Sequence, residues 1–600
     1  MTSAAVAPVG ITTRSVVDQD WKGLAATGGI GAIILVFIAL VGMPLALDSK
    51  MVIAGVLSLG YLSLLWVPFA VGVASASEVV LEGMEAPKRG ARDLAGGVIV
   101  GLISGLGITL LMALIDSYNL RDPLVWWSDQ NNEFLAFPGF SVSEGMVLWP
   151  FVGAGLGLLG AALAISPARI RKAVVAALLA VLSMAVLELA ISDIFTTDSF
   201  LTRIIDLEFL DDFFYDKNGG LTTSGAVLTA VLAVGWSAGV SRQITKTRVR
   251  IAAKEPSEKR RTLLISYVLL AIFFMIMPLL FGKIMNELLA NVGLFVLLAL
   301  GLNIVVGLAG MVDLGYVAFF AVGGYTTAVL TSPNSPLFAP ELPFGVTIVV
   351  VVIIAAITGM LIGAPVIRMR GDYLAIVTLG FGEIIRLLFL SDWLAPVFGG
   401  AQGITNIPGI EVGPFEIKGT DPRSVFYLVL AFTALAVYIS WRLQNSRLGR
   451  SWMAIREDET VANAMGINTV NAKLLAFVVG AVLASFSGAI FAAKVGSIFP
   501  NSFLILVSVI ILVIVIVGGM GSIPGVIVGA VVLIGVLGGP RQPGLLFELG
   551  SYKLLIYGAL LVFMMLKRPE GLIPSAQRTR ELHQEEFLQD AWLKGEIDPD

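Results

Sequence analysis

Residues 301–330 read GLNIVVGLAGMVDLGYVAFFAVGGYTTAVL. Gly301, Gly307, Gly310, Gly315, Gly323 and Gly324 interrupt an apolar run that also holds Asn303, Asp313, Tyr316 and Tyr325. Glycine loosens a helix and lets backbones approach closely. Unwound backbone at membrane depth is tolerated only where it lines protein or a water-filled cavity. Asp313 in such a run is costly in lipid, so it either faces a bundle interior or caps the next helix from a tight turn.

Around this stretch lies a chain of 600 residues, 57% hydrophobic and 14% charged, against roughly 25% charged in a soluble domain. Its apolar runs are continuous and about 20 residues long, which favours helices over the short alternating segments of a barrel. The reading is an all-α integral membrane protein, a polytopic bundle of about 16 hydrophobic segments. Runs broken by glycine, such as 312–330 and 523–539, suggest re-entrant or bent segments. The 65 glycines suit helices that pack closely in lipid. There is no cysteine and one histidine, His583, so disulfides, thiolate chemistry and His-based metal sites are not expected. No metal site and no catalytic constellation can be assembled, which argues against a membrane-embedded enzyme. The polar first 20 residues precede an apolar run long enough to remain as an anchor.

With the N-terminus placed in the cytoplasm, inner loops carry 20 basic residues and outer loops 9. That bias predicts that both termini are cytoplasmic. Trp126, Trp127 and Trp149 fit an outer interfacial belt. Residues 243–262 are polar and basic, contain Pro256, and read either as a linker between two membrane domains or as an ordinary inner loop. The expected layout is an extension of about six helices over 1–242, the linker 243–262, a membrane domain of about ten segments over 263–575 and a polar cytoplasmic tail over 576–600. No internal repeat stands out; GGMGSIPG at 518–525 only faintly echoes GLAGMVDLG at 307–315.

Three further stretches carry information. In IRMRGDYLAIVTLGFGEIIRLLFLSDW, 367–393, Arg368 and Arg370 mark an inner surface, Gly371 and Asp372 make a turn, and Asp372 is placed to cap the helix behind it. Glu383 and Arg386 lie three apart on one helix face, forming an intramembrane ion pair that either locks neighbouring helices or serves a pathway or gate. In RLGRSWMAIREDETVANAMGINTVNAKLLAF, 447–477, Asp458 can cap a short helix through Met465 that Gly466 ends. Val461, Ala462 and Met465 share one side of it, Trp452 and Ile455 form a similar patch before it, and Thr469 can start the next membrane helix. A short amphipathic helix in the cytoplasm seeks a partner groove. The other reading lays it on the bilayer, which the acidic run Glu457, Asp458, Glu459 disfavours. VGGMGSIPGVIVGA, 517–530, is a glycine-rich hairpin suited to tight packing.

In order and spacing these four stretches resemble the LivM-type permease of branched-chain amino acid ABC importers, over roughly 263–575. RGDYLAIVTLGFGEIIRL and the RLGRSWMAIREDE block are the specific part; the YLAI wording is similar to the amino-acid branch rather than its urea-transporting relative. The resemblance implies an inner-membrane importer with a second, LivH-like permease, two cytoplasmic ATPases and a periplasmic binding protein. It implies that 451–466 is the coupling segment, with Trp452, Arg456, Glu457, Asp458, Glu459, Ala462, Met465 and Gly466 docking in an ATPase groove. The chain has no G-x-x-x-x-G-K-[ST] loop, so it is expected to bind no cofactor itself, ATP and magnesium being held by the partner ATPases. Besides the lipid bilayer and these subunits no partner is expected, and no nucleic acid. Asn303, Asp313, Tyr316, Tyr325 and Tyr373 are the residues proposed to line or shape the pathway. Residues 1–242 depart from the family pattern and read as a structural addition. The competing reading is an ion-coupled secondary transporter, which also uses broken helices at mid-membrane but works as a lone chain.

Overall fold

The computed structural model describes residues 21–76, 91–118, 129–196, 208–217, 219–252, 256–337, 339–367, 369, 372–412, 415–540, 542 and 544–575. Trp126, Trp127, Arg368, Arg370, Gly371 and the tail 576–600 with His583 lie outside the described residues. The protein is all-α, and among the described residues ten helical spans are long and apolar enough to cross a membrane. Other apolar runs form shorter helical stretches, including Val317–Thr331 and Ile523–Leu537.

The chain divides into two compact units, 1–188 with 209–256, and 189–208 with 257–600. In the first, α1 (Trp21–Val41), α2 (Leu59–Ala76), α3 (Ala91–Ser117), α4 (Val142–Ile165) and α5 (Ala168–Val186) are joined, after α6 (Glu188–Thr196), by α7 (Thr223–Ala252). Glycines every four residues on α3 and α4 let these helices touch backbone to backbone. A methyl group on Gly101 would sit 2.1 Å from the Gly153 carbonyl oxygen, and one on Gly157 2.2 Å from that of Gly97. Such small-residue seams are how helices associate where lipid removes the hydrophobic drive. Ser141 and Glu144 form a capping box at the start of α4. Trp149 does not face outward. It is fully buried on α4 and donates its indole N–H to the Leu135 carbonyl at 2.8 Å, the partner a buried indole needs. At one end of this unit Lys50 pairs with Glu188 at 2.8 Å, and Glu188 also accepts from the Gly220 amide.

Helix covers most of the 243–262 stretch, because α7 runs to Ala252 and α8 (Pro256–Leu280) begins four residues later. Pro256 at the first helical position costs no hydrogen bond. Most of α6, although within 1–242, groups with the second unit. There Asp193 Oδ2 accepts from the Gly282 amide at 2.6 Å, and Gly282 is the N-cap of α9.

The second unit comprises α8, α9 (Lys283–Leu302), α10 (Val317–Thr331), α11 (Phe344–Val366), α12 (Asp372–Leu390), α13 (Pro422–Gln444), α14 (Arg447–Glu457), α15 (Glu459–Ala464), α16 (Thr469–Val495), α17 (Ile505–Gly518), α18 (Ile523–Ala530) and α19 (Lys553–Lys567). Its core is α9, α10, α16 and α17, apolar all round and therefore central. Small residues allow the closest approach: Gly488 on α16 lies where a methyl group would be 2.1 Å from the Phe320 carbonyl oxygen of α10. Two helices are broken. α9 widens into a π-turn over Asn303–Leu308 and gives way to non-helical backbone before α10. α18 widens likewise over Val531–Leu537. The break thus precedes α10, which runs unbroken through Gly323 and Gly324. Short antiparallel strands, Ile404–Thr405 with Ser497–Ile498 and Ile410–Val412 with Phe415–Ile417, dress the end of the unit opposite α14 and α15.

Candidate functional site: a helix break clamped to a helical elbow

The non-helical backbone at 309–316 needs partners; side-chain hydroxyls from two neighbouring helices bond its amides, and its own Tyr316 reaches a carbonyl on a third. Thr378 Oγ1 on α12 accepts from the Leu314 amide at 3.1 Å. Ser508 Oγ on α17 accepts from the Val317 amide at 2.8 Å. The Tyr316 hydroxyl donates to the Gly480 carbonyl on α16 at 2.8 Å. Leaving one such buried group unpaired would cost about 1–3 kcal/mol. Asp313 is 1% exposed, and its Oδ1 accepts from the Gly315 amide at 2.9 Å. It therefore closes a local turn and does not cap α10, whose first amide is taken by Ser508. Gly315 is obligatory here: a Cβ would fall 1.8 Å from the Thr378 carbonyl oxygen.

At the near end of the break, Asn303 Oδ1 accepts from the Gly521 amide at 2.8 Å. This joins the two glycine-rich stretches that faintly echo each other in sequence. Gln444 Nε2, at the end of α13, donates to the Gly521 carbonyl at 3.2 Å.

The elbow α14–α15 is fastened to this junction. Arg456 Nη1 donates to the Gly307 carbonyl at 2.8 Å, and Gly310, at φ +73°, leaves room for the arginine stem. Trp452 is fully buried and donates from Nε1 to the Ala472 carbonyl on α16 at 2.7 Å. Lys473, itself on α16, pairs with Glu459 at 2.6 Å. Asp458 caps α15 through the amides of Thr460 and Val461, at 2.7 and 3.0 Å. Those amides, Val461 foremost, hold its carboxyl below the usual carboxylate range. After α15 the chain turns at Gly466, φ +85°, a conformation glycine adopts without strain. Asn468 then caps α16, which begins at Thr469.

The three apolar positions on α15 and its C-cap do not face one way. Ala462 is buried, whereas Val461 and Met465, one helical turn apart, are 57% and 79% exposed. Trp452 and Ile455 point inward, because a buried seam is what holds so short a helix in place. Glu457 lies on the exposed side.

Of the five residues expected to line or shape the pathway, Asn303, Asp313 and Tyr316 converge on the break. Tyr325 lies further along α10, stacked on Phe389 at 4.1 Å, its hydroxyl without a hydrogen-bond partner among the described residues. Tyr373 is 74% exposed and stands apart. Arg386 Nε binds both Glu383 oxygens at 2.9 and 3.0 Å. This pair sits within one helix, so any bridging runs through Arg386 Nη1, 3.4 Å from Asn501 Oδ1. Ser508 and Thr378 escape a reading by motif. Their signal is a lone hydroxyl in an otherwise apolar run, such as Ser508 within ILVSVIILVIVIV. Among the described residues no group of three or more His, Cys, Asp or Glu could hold a metal ion.

The model of the family described as branched-chain amino acid transport system, permease component, matches residues 284–565. The chain is 38% identical over 302 residues to the high-affinity branched-chain amino acid transport system permease protein LivM of Escherichia coli K12, covering 47% of this chain and 68% of that protein. It is 26% identical over 321 residues to the probable branched-chain amino acid transport permease protein LivM of Methanocaldococcus jannaschii, covering 47% and 91%. To the LivH permease protein of the E. coli system it is 26% identical over 291 residues, covering 46% and 91%. No solved structure matches.

Proposed function

This chain belongs to the family of permease components of branched-chain amino acid transport systems, and from that premise we propose that it forms the translocation path of an ATP-driven importer for branched-chain amino acids. It is a multi-pass membrane protein, placed by this reading in a bacterial inner membrane with α14, α15 and both termini on the cytoplasmic side, as the loop charges favour. Its partners are a LivH-like permease, two ATPase subunits that hold ATP and magnesium, and a periplasmic binding protein. The chain itself hydrolyses nothing.

The observation that carries the proposal is the clamp between elbow and break. Val461 and Met465 offer an exposed apolar ridge at i and i+4, the spacing with which a helix enters a groove. Behind that ridge Arg456 grips Gly307, so displacement of the elbow by a closing ATPase pair pulls on the backbone at 303–316. Two discrete arrangements of such a packed junction suffice for alternating access. Val461→Asp with Met465→Asp, both exposed, is expected to leave insertion unchanged and to abolish substrate-stimulated ATP hydrolysis by the assembled transporter. Undiminished stimulation in that double variant refutes the docking role.

A further inference from the structure

Toward the end of the second unit opposite the elbow, α9, α10, α16 and α17 leave a cavity of about 130 Å³ between them. Phe295 and Leu298 of α9, Phe320 of α10, Phe491 of α16 and Val507 of α17 form its walls. Phe320 meets Phe491 at 5.3 Å and Phe503 at 5.1 Å, so an aromatic cluster closes one side. The rim is polar, with Asn501 exposed on the stretch before α17 and Gln542 beside the turn after α18. Gln542 Oε1 is buried and has no hydrogen-bond partner among the described residues. Through the Arg386–Asn501 contact the Glu383–Arg386 pair reaches the same rim, bringing one charge of each sign.

We propose that this cavity is the seat of the substrate's apolar side chain, with the zwitterionic head group left at the rim beside Gln542, Asn501 and the Glu383–Arg386 pair. The inference rests on the importer reading above and adds where and by what chemistry the substrate is recognised. The size fits. A dry apolar cavity of about 150 Å³ takes up benzene, so a four-carbon leucine or isoleucine side chain fits here. A few placed polar groups around an apolar hollow are the usual make-up of a small-molecule site. The Glu383 carboxylate supplies an acceptor for an ammonium, and the Arg386 guanidinium and Asn501 amide supply donors for a carboxylate. Four separate helices form the walls, so the cavity's volume changes when those helices shift against each other.

The test uses the full transporter in vesicles with L-leucine, and a diazirine analogue of leucine as photoprobe. Leu298→Trp, which fills the cavity, is expected to raise the KM for leucine and isoleucine about tenfold or more, and Leu298→Ala to let phenylalanine compete about tenfold better. On illumination the photoprobe should label 294–298, 491 or 502–507 in the unaltered chain, a readout that does not depend on a variant folding. Wild-type KM values in Leu298→Trp, or labelling confined elsewhere, overturn the cavity assignment while the importer reading stands. Absence of any branched-chain amino acid uptake by the unaltered transporter overturns both, and is distinguishable because it needs no variant.

Discussion

The two units use the same apolar alphabet to different ends. In the first, 22–39% of the most apolar stretch of each span between Trp21 and Ile165 is buried, and the helices meet along glycine seams. In the second, the outer spans Phe344–Val366, Tyr373–Leu390 and Pro422–Gln444 stay at 22–28%, but 89% of that stretch of Lys283–Leu308 is buried and 67% of that of Thr469–Val495. Among the described residues, only the second interrupts a buried helix with a long non-helical stretch and bonds the gap's amides with hydroxyls from two other helices. Open backbone in an apolar interior is expensive, so its presence marks the part of the molecule that has a reason to change shape. The family match, confined to 284–565, covers that part and none of the first unit.

The sharpest way to test this contrast is to place the same insult in both units. Gly315→Val would drive a side chain into the Thr378 carbonyl, and Gly101→Val into that of Gly153. Each overpacking should cost about 3 kcal/mol locally. Leucine uptake is expected to vanish in the first variant and to persist in the second, where hydrogen exchange should quicken in α3 and α4 alone. Loss of uptake in both would make the units one functional body.

A smaller effect is expected at the clamp. Arg456→Met keeps the stem that packs on Gly310 but removes the charged donor to Gly307. Such a bond is worth about 1.5–3 kcal/mol, so coupled ATP hydrolysis should fall by roughly 10- to 100-fold with insertion intact. Equal hydrolysis in Arg456→Met would mean that the elbow acts through Trp452 or Glu459 instead. In the first unit the matching experiment is Trp149→Phe, which removes a bond to Leu135 of the kind worth about 1 kcal/mol. It should loosen residues 129–135 by hydrogen exchange and leave uptake unchanged.

Much of this was legible in the sequence, and unevenly. Membrane class and helix content follow from apolar run length, a one-dimensional property. The elbow was legible because capping chemistry is local: Asp458, Gly466 and Thr469 stand close to where the reading puts them. What periodicity alone could not settle is which side of a short helix is covered. Trp452 and Ile455 look as exposable as Val461 and Met465 until α16 is laid against them. Trp149 shows the same limit, since an indole at an interface and one bonded to a buried carbonyl have the same local sequence. The hydrogen bonds that define the break join residues 64 to 218 positions apart. No spacing rule reaches that far.

The last and smallest effect separates the elbow from everything it is fastened to. Asp458 accepts from the Val461 and Thr460 amides more strongly when ionised, which is why its folded carboxyl titrates below the ordinary range. A group more easily ionised in the folded than in the unfolded chain adds stability above its unfolded pKa, about 3.9. That contribution disappears as the pH falls through the lower, folded value. Because the chain has no cysteine, a spin label at Met465→Cys reports α15 without background. Its mobility should rise on acidification below about pH 4, and the change should flatten in Asp458→Asn, whose amide does not titrate over that range. Identical acid profiles with and without Asp458 would assign the transition elsewhere and refute the cap as its source.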